Sequence, residues 1–345
     1  MKTSAPHQTP PTDDTPPKGW LVDRCLRRLN YLRVSITDRC NLHCNYCMPG
    51  ERVLKLSHEE ILTYEEILRV LDIGVTLGIT KVRITGGEPL VRKGAVAFIR
   101  DVCAMRALED VSLTTNGVLL RPHLSELKHA GIRRINISLD TLIPERYQAI
   151  TGVDGFHNVW RTLLDAMQMG FSPIKINVVA MRGINDDELA GLARLSIEYP
   201  IHVRFIEHMP IGDAALSSTS QLLIPDIRSI VETVAPLEPI PPGRHDGPAQ
   251  RFRFPEAAGE IGFISSISQH FCSTCNRLRL TARGSLRPCL LADTEVDLKG
   301  LLRTGATDQA IRDAFISAVR LKGADHGIGP NQHNGPSGQM SSIGG

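Results

Sequence analysis

From Tyr31 onward, short apolar runs rich in β-branched residues alternate with longer stretches in which apolar residues recur every three or four positions. The short runs predict six strands: Leu32–Thr37, Lys81–Thr85, Val111–Thr115, Arg134–Leu139, Ile174–Val179 and Ile201–Ile206. The longer stretches predict helices at Thr63–Leu77, Ala95–Met105, Pro122–Ala130, Phe156–Met169 and Asp186–Glu198. A spacing of about 25 to 35 residues per unit is typical of βαβ units. The pattern therefore predicts an α/β fold, either a partial barrel or an open doubly wound sheet.

This regular alternation ends after Met209. A Pro- and Gly-rich segment, Pro236–Pro248, and short strand candidates around Phe252 and Ile261 follow it. We therefore expect four segments, which are a disordered Pro/Thr-rich arm (1–20), the α/β region (21–210), a smaller C-terminal region (211–330) and a Gly-rich tail (331–345).

Polar and glycine residues follow several of the predicted strands directly. Gly86-Gly87-Glu88-Pro89 comes after the second strand, Asn116 after the third and Asp140 after the fourth. Ligands of parallel α/β folds bind at the carboxyl ends of the strands. The sequence therefore predicts one functional face at that end of the sheet.

Charge and composition narrow the class of protein. Of the 345 residues, 39 are Lys or Arg and 37 are Asp or Glu, and a net charge of +2 does not favour a nucleic acid or an anionic membrane as partner. The chain contains no apolar run of about 18 residues, and its first 20 residues lack an apolar core and include Asp13 and Asp14. We expect a cytoplasmic protein without a membrane span, in which cysteines stay reduced.

Six of the eight cysteines form two triplets with tight spacing, Cys40-x3-Cys44-x2-Cys47 and Cys272-x2-Cys275-x13-Cys289. A closed zinc site requires four ligands, whereas three thiolates can hold a four-iron cluster and leave one iron open to a small molecule. A zinc knuckle or redox thiol set remains an alternative for the first triplet. His270 would complete a Cys3His zinc site at the second. Cys25 and Cys103 are isolated and are interpreted as ordinary thiols.

Two arginines stand beside the second triplet. In an extended segment, Arg277 and Arg279 place both guanidinium groups on one face. The planar fork of arginine suits phosphate, although solvated surface arginines are an alternative. The segment therefore indicates an anion site next to the metal.

The first triplet, in the context Arg33-Val-Ser-Ile-Thr-Asp-Arg-Cys40 and Cys44-Asn-Tyr-Cys47, resembles the radical S-adenosylmethionine (SAM) superfamily. The resemblance implies that the open iron chelates SAM, and that reductive cleavage of SAM yields a 5′-deoxyadenosyl radical. Gly86–Pro89 resembles the segment that meets the methionine amino group. The residues implied to contact SAM are Tyr46, Gly87, Glu88, Asn116, Ser138 and Met209.

From about Tyr31 to Gly345 the chain resembles the GTP 3′,8-cyclases of molybdenum cofactor biosynthesis. The resemblance implies an incomplete (β/α)6 TIM-type barrel, with a second [4Fe–4S] cluster on Cys272, Cys275 and Cys289 that binds the guanine of GTP. It also implies that Arg33 stabilises or protonates the product radical and that the tail ending in Gly344-Gly345 reaches the active site. The implied GTP contacts are Arg33, Arg83, Thr114, Lys175, Arg204, Arg277, Leu278 and Arg279.

The reaction implied is abstraction of the 3′-hydrogen of GTP and attack of the ribose radical on C8, which gives (8S)-3′,8-cyclo-7,8-dihydro-GTP. The implied partners are an electron donor, a downstream cyclic pyranopterin monophosphate synthase and a second copy of the chain. Two alternatives remain open at this point. One is a radical SAM peptide-modifying enzyme, although those typically carry more C-terminal cysteines, and the other is a non-catalytic zinc module that binds nucleic acid.

Overall fold

The computed structural model describes residues 19–48, 55–211, 221–243, 246–329, 335–337 and 339–344. The strands are β1 (Tyr31–Ser35), β2 (Lys81–Thr85), β3 (Asp110–Thr115), β4 (Arg134–Ser138), β5 (Ile174–Ala180), β6 (Ile201–Glu207), β7 (Glu238–Pro239), β8 (Gln250–Arg253), β9 (Glu260–Ile264), β10 (Arg277–Leu280), β11 (Ser285–Arg287) and β12 (Val296–Asp297). The helices are α1 (Tyr64–Thr76), α2 (Ala95–Cys103), α3 (Leu124–His129), α4 (Pro144–Thr151), α5 (Phe156–Gln168), α6 (Leu189–Glu198), α7 (Ile224–Val231), α8 (Leu298–Arg303), α9 (Asp308–Arg320) and α10 (Met340–Ile343).

All described strands belong to one sheet, in the order β12-β11-β10-β1-β2-β3-β4-β5-β6-β9-β8-β7. The strands from β10 through β1–β6 to β9 are parallel to their neighbours, and antiparallel strands continue the sheet at both ends. The six β/α units confirm the predicted incomplete barrel. Strands β9 and β10 follow each other in the chain, yet they lie on opposite edges of the six-stranded core.

Alternation along the strands separates an apolar outer layer from a polar interior. In β1, Leu32 and Val34 are fully buried in the main hydrophobic core, while Tyr31, Arg33 and Ser35 alternate with them. Successive side chains of a strand point to opposite faces, so these three face the barrel interior. The interior is therefore polar at positions where a closed barrel would carry branched apolar residues.

Within residues 21–210 the helices differ from the sequence prediction at three places, one of them α6, which begins only after a 3-10 turn at Asp186–Glu188. Helices α7–α10, in the C-terminal region and the tail, were not predicted. The predicted helix Pro122–Ala130 is shorter, because a 3-10 turn at Arg121–His123 precedes α3. Helix α4 was not predicted, and only Tyr147, Ile150 and Thr151 among its eight residues are buried. So few buried positions leave a weak periodic pattern. Within the described ranges, none of the helices is both long and apolar enough to span a bilayer.

Candidate active site

One cavity of about 290 Å³ lies at the carboxyl end of the parallel strands, and both cysteine triplets line it. Most of the residues singled out from the sequence meet here. Those lining the cavity are Arg33, Cys40, Cys44, Tyr46, Cys47, Gly87, Thr114, Asn116, Ser138, Met209, Cys272, Cys275, Arg277, Arg279 and Cys289. Two triplets separated by more than 200 residues of sequence therefore share one chamber.

The first triplet lies on the loop after β1 and folds into a tight turn. The backbone amides of Cys47 and Met48 donate to the carbonyl of Cys44 at 3.0 and 2.9 Å. Burial raises the pKa of the Cys40 and Cys44 thiols, and it raises the pKa of Cys47 to about 12, with nearby negative charge acting in the same direction. Thiols that ionise so reluctantly together suit a shared metal centre, whose positive charge favours the thiolates.

The glycine pair after β2 lets two loops approach each other closely. A Cβ on Gly87 would lie 2.4 Å from the carbonyl oxygen of Arg39, and one on Gly86 would lie 2.7 Å from that of Thr37. The Gly87 amide donates to the Thr37 carbonyl at 2.7 Å. Only residues without a side chain fit there. The pair therefore docks the loop after β2 against the segment that leads into Cys40, in addition to lining the cavity.

Glu88 is fully buried behind the cavity and is not among its lining residues. Its carboxylate accepts hydrogen bonds from the Asn116 amide at 2.7 Å, the Thr115 hydroxyl at 2.9 Å and the Leu90 amide at 3.1 Å. Burial raises the pKa of Glu88 to about 7, although these hydrogen bonds lower it. In this structure the acid thus fixes Asn116, a predicted SAM contact.

Tyr46 is held by a partner that the sequence indicated only by its position. The Tyr46 hydroxyl donates to Asp140 at 2.7 Å, and the Val179 amide donates to the same carboxylate at 2.8 Å. The Tyr46 ring meets His208 edge to face at 6.4 Å, next to Met209 in the chain. Burial raises the pKa of Asp140 to about 6. Asp140 therefore sets the orientation of the Tyr46 ring at the cavity wall.

Cationic side chains occupy the barrel interior in successive layers. The strand register sets Arg33 beside Arg83 on one side and beside Arg279 on the other. Burial and neighbouring arginines lower the pKa of Arg33 to about 9, partly offset by Tyr31. Three predicted GTP contacts, Arg83, Lys175 and Arg204, are not among the residues that line the main cavity.

Lys175 and Arg204 line a second, smaller cavity near the amino ends of β5 and β6. Arg204 donates to the Asn136 side-chain oxygen at 2.6 Å. Burial, together with Arg204, Arg83 and Arg134, lowers the pKa of Lys175 to about 6. Asp246 and Glu260 line the same cavity and pair with Arg251, and the positive charge of Lys175 and Arg204 favours an anionic ligand.

Sequence reasoning missed two features of this interior. Asp110 neutralises part of it by pairing with Arg134 and with Lys81, the latter at 3.4 Å. A Cβ on Gly262 would lie 2.9 Å from Cγ of Arg204, so the glycine makes room for that side chain. The strand register that brings Gly262 beside Arg204 joins β9 to β6, and no local pattern reveals it.

Around the second triplet, alternation in β10 divides the predicted residues. Arg277 and Arg279 line the cavity, whereas the Leu278 side chain is fully buried in the hydrophobic core on the other face. Burial alone would raise the pKa of Cys275, but the charges of Arg277 and Lys322 bring it down to about 6. Positive charge therefore favours the thiolate at this cysteine, in contrast to the first triplet.

The zinc alternative at the second triplet can be examined through its histidines. His270, Cys272 and His326 have ligand atoms within 4.8 Å of one another, and this compact group does not include Cys275 or Cys289. The Ile328 amide donates to Nδ1 of His326, and Nε2 lies 3.0 Å from the Ser266 carbonyl. Both ring nitrogens of His326 are therefore engaged with the backbone, while His270 keeps a ligand atom within 4.8 Å of that of Cys272.

The end of the tail enters the barrel. Nη1 of Arg279 donates to the Gly344 carbonyl at 2.6 Å. Gly344 has a φ of +81°, and a Cβ there would lie 2.8 Å from Cβ of Ser35. Gly345 and residues 330–334 and 338 lie outside the described residues, as do 1–18 of the predicted arm.

Comparisons with known proteins agree with this geometry. The sequence model of the Radical SAM superfamily matches residues 34–196, and the family described as Molybdenum Cofactor Synthesis C matches residues 201–328. Among solved structures, Streptococcus suis SuiB bound to S-adenosylmethionine has a TM-score of 0.59 at 15% identity. The match covers 85% of this chain and 68% of that one, and it concerns the fold.

Curated relatives match over nearly the whole length. The GTP 3′,8-cyclase of Moorella thermoacetica is 49% identical over 306 residues, which cover 89% of this chain and 95% of that protein. The GTP 3′,8-cyclase of Desulforamulus reducens is 46% identical over 332 residues, which cover 94% of this chain and 100% of that protein. With this identity over almost all of its length, the chain belongs to the GTP 3′,8-cyclase family of the radical SAM superfamily.

Proposed function

We propose that this enzyme converts GTP to (8S)-3′,8-cyclo-7,8-dihydro-GTP in molybdenum cofactor biosynthesis, with SAM as the radical source. The observation that carries the proposal is the single cavity lined by both cysteine triplets, with a cationic barrel interior beneath it. A radical enzyme needs its radical source and its substrate in one enclosed space, because proximity replaces a bimolecular encounter and excludes side reactions.

Cys40, Cys44 and Cys47 would hold a four-iron cluster, which, with bound SAM, supplies an electron and a 5′-deoxyadenosyl group. The protein's part is orientation. Tyr46, Gly87, Asn116, Ser138 and Met209 line the same cavity and would contact SAM. Glu88 acts here through the backbone amide of Asn116, at 2.7 Å.

Cys272, Cys275 and Cys289 would hold a second cluster in the same cavity, next to the guanine of GTP. Arg277 and Arg279 lie on the same face of β10 and would bind phosphate or base. Leu278 would take part through its backbone, since its side chain faces the core. Arg33, between Arg83 and Arg279, is the proposed residue that stabilises or protonates the product radical.

The triphosphate of GTP would extend from Arg33 and Thr114 toward Arg83, Lys175 and Arg204. Arg204 is buried and Arg33, Arg83 and Lys175 are half-buried, and anionic oxygens would offset the cost of removing their charge from water. In this scheme residues 21–210 generate the radical, 211–330 carry the second cluster, and 331–345 close the site. An electron donor, a downstream cyclic pyranopterin monophosphate synthase, a cytoplasmic location and a homodimer complete the proposal.

Anaerobic reconstitution tests the proposal directly. The full chain is expected to bind about eight irons, and Ala replacements of either whole triplet are expected to leave about four. 5′-Deoxyadenosine should form when GTP is present. Formation of the cyclised product should require both triplets. Zinc at the second triplet, or SAM cleavage that responds to a peptide and not to GTP, would contradict the proposal. Cys25→Ala, at an exposed cysteine outside both triplets, is the matched control.

A further inference from the structure

A buried lysine lies behind the second cysteine triplet. Lys322 is 6% exposed, and its Nζ donates to the carbonyls of Pro288 at 2.6 Å and of Arg277 at 3.1 Å. Pro288 directly precedes Cys289, and Arg277 lies two residues after Cys275. One ammonium group therefore joins the two chain segments that carry two of the three cysteines.

The position of this lysine is fixed independently of the cysteine loops. Lys322 follows the end of α9, and its amide donates to the Val319 carbonyl at 3.1 Å. Helix α9 is anchored by buried Ile311, Phe315 and Val319. A helix that packs in the main core thus fixes the position of the ammonium, and Lys322 is a rigid support for the cysteine loops.

The third cysteine is braced by a different cation. Arg27 donates through Nη1 to the Cys272 carbonyl at 2.6 Å, and through Nη2 to the Gly323 carbonyl at 2.5 Å. Asp23 accepts from Nε of Arg27 at 2.6 Å, and both side chains are buried. The Arg27 charge is therefore neutralised by its own carboxylate.

Lys322 differs from Arg27 in this respect. Among the residues that the structure describes, no carboxylate lies within ion-pair distance of its ammonium, whose partners are the two carbonyls beside Cys275 and Cys289. A buried cation with only carbonyl partners is costly unless negative charge lies near it. Three thiolates and an iron–sulfur cluster would supply that negative charge.

We propose that Lys322 is a positioning residue that holds the Cys275 and Cys289 segments together and raises the reduction potential of the second cluster. The inference rests on the proposed second cluster. A positive charge stabilises the reduced, more negative form of a cluster, and net charge and burial are levers by which a protein sets the potential. Arg27 would brace the Cys272 segment without this electrostatic effect.

The test uses the full chain with Cys40, Cys44 and Cys47 replaced by Ala, so that only the second triplet binds iron. Lys322→Gln keeps hydrogen-bond donors without the charge, Lys322→Met removes both, and Lys322→Arg keeps both. Arg320→Met removes an exposed charge two residues away and is the control. Iron per chain and the midpoint potential, followed by electron paramagnetic resonance, are measured for each.

We expect a lower midpoint potential in Lys322→Gln, lower iron occupancy as well in Lys322→Met, and parent values in Lys322→Arg and Arg320→Met. Unchanged potential and iron in all Lys322 variants would overturn the inference. Equal loss of iron in all three, Lys322→Arg included, would also overturn it, because the requirement would then be steric. If the parent triple variant itself binds no iron, the proposal of a second cluster is contradicted. That result differs from the outcomes that overturn only the role of Lys322.

Discussion

At Lys175, burial and most of the neighbouring charges act in the same direction. Burial, Arg204, Arg83 and Arg134 disfavour the protonated amine, Asp246 favours it, and the pKa is lowered to about 6. A bound triphosphate would act in the opposite direction and raise that pKa. The free side chain is therefore largely neutral near pH 7, and GTP binding would be coupled to the uptake of a proton at this site.

The sign of the pH dependence follows from that coupling. Between about pH 6 and the higher pKa of the complex, GTP affinity should fall as pH rises, by at most about tenfold per pH unit from this one group. Lys175→Met should lose this component. Calorimetry in two buffers with different ionisation enthalpies measures the proton uptake on GTP binding. The Lys175→Met variant shows how much of that uptake comes from the phosphate of GTP. Equal uptake by both proteins would contradict the prediction.

At this scale, residue type and spacing predicted which side chains would meet, because ligands gather at the carboxyl ends of parallel strands. They did not predict which way a side chain faces. Glu88 was expected beside SAM, yet its oxygens accept from Asn116, Thr115 and Leu90 behind the cavity wall. That orientation depends on the loop after β3, which is remote in sequence.

Among the elements, β9 contains a glycine that leaves room for a charged side chain of a neighbouring strand. Gly262 faces Arg204 across the parallel pairing of β9 with β6. Gly191 in α6 provides the opposite case, since a Cβ there would have nothing within 4 Å. An alanine at Gly262 fills the space that Arg204 occupies, whereas an alanine at Gly191 shows the effect of replacing a glycine where no neighbour is displaced.

Gly262→Ala should displace Arg204, lower the unfolding free energy by about 1 to 3 kcal/mol and weaken GTP binding. Gly191→Ala should raise the unfolding free energy by up to about 1 kcal/mol and leave GTP binding unchanged. Thermal unfolding of the iron-free chain and GTP titrations measure both. A Gly262→Ala variant that behaves like Gly191→Ala would show that Arg204 does not depend on this space.

The strands of the barrel could be predicted because each carries its own alternating pattern and lies in a βαβ unit. The addition of β9 and β10 to the two edges could not, because β9 pairs with β6 across more than 50 residues of sequence and β10 pairs with β1 across more than 240, and such pairings leave no local trace. Helix α4 was missed for a different reason, since only three of its positions are buried. Local sequence patterns thus predicted the six strands of the barrel, whereas the strands added at its two edges depend on long-range pairing.

For the whole molecule, the tail joins the last residues of the chain to the first strand. Gly344 packs against Ser35 of β1 and accepts a hydrogen bond from Arg279 of β10. A Gly- and Ser-rich composition is typical of flexible segments, and nothing in it specifies a docking site. The contact depends on the interior that β1 and β10 create together.

Gly344→Ala should withdraw the end of the tail, because the new Cβ would lie 2.8 Å from Cβ of Ser35 and φ is +81°. We expect a large loss of cyclised product at unchanged iron content. Gly183→Ala has a similar φ of +73° but open space around the new Cβ, so it should cost only about 1 kcal/mol of stability. The amount of cyclised product per iron-loaded chain is compared between the two variants. Equal activities would mean that the tail contact is dispensable.

The pairing of β10 with β1 has a consequence for how the protein is made. Asn276, just before β10, donates to Asn30, just before β1, across 246 residues of sequence. Pairings over such distances form late, because loop closure must precede any contact that rewards it. A chain emerging from the ribosome has its first cysteine triplet among its neighbouring strands well before the second triplet has been synthesised. The order of strands in the sheet therefore imposes an order on the maturation of the two sites.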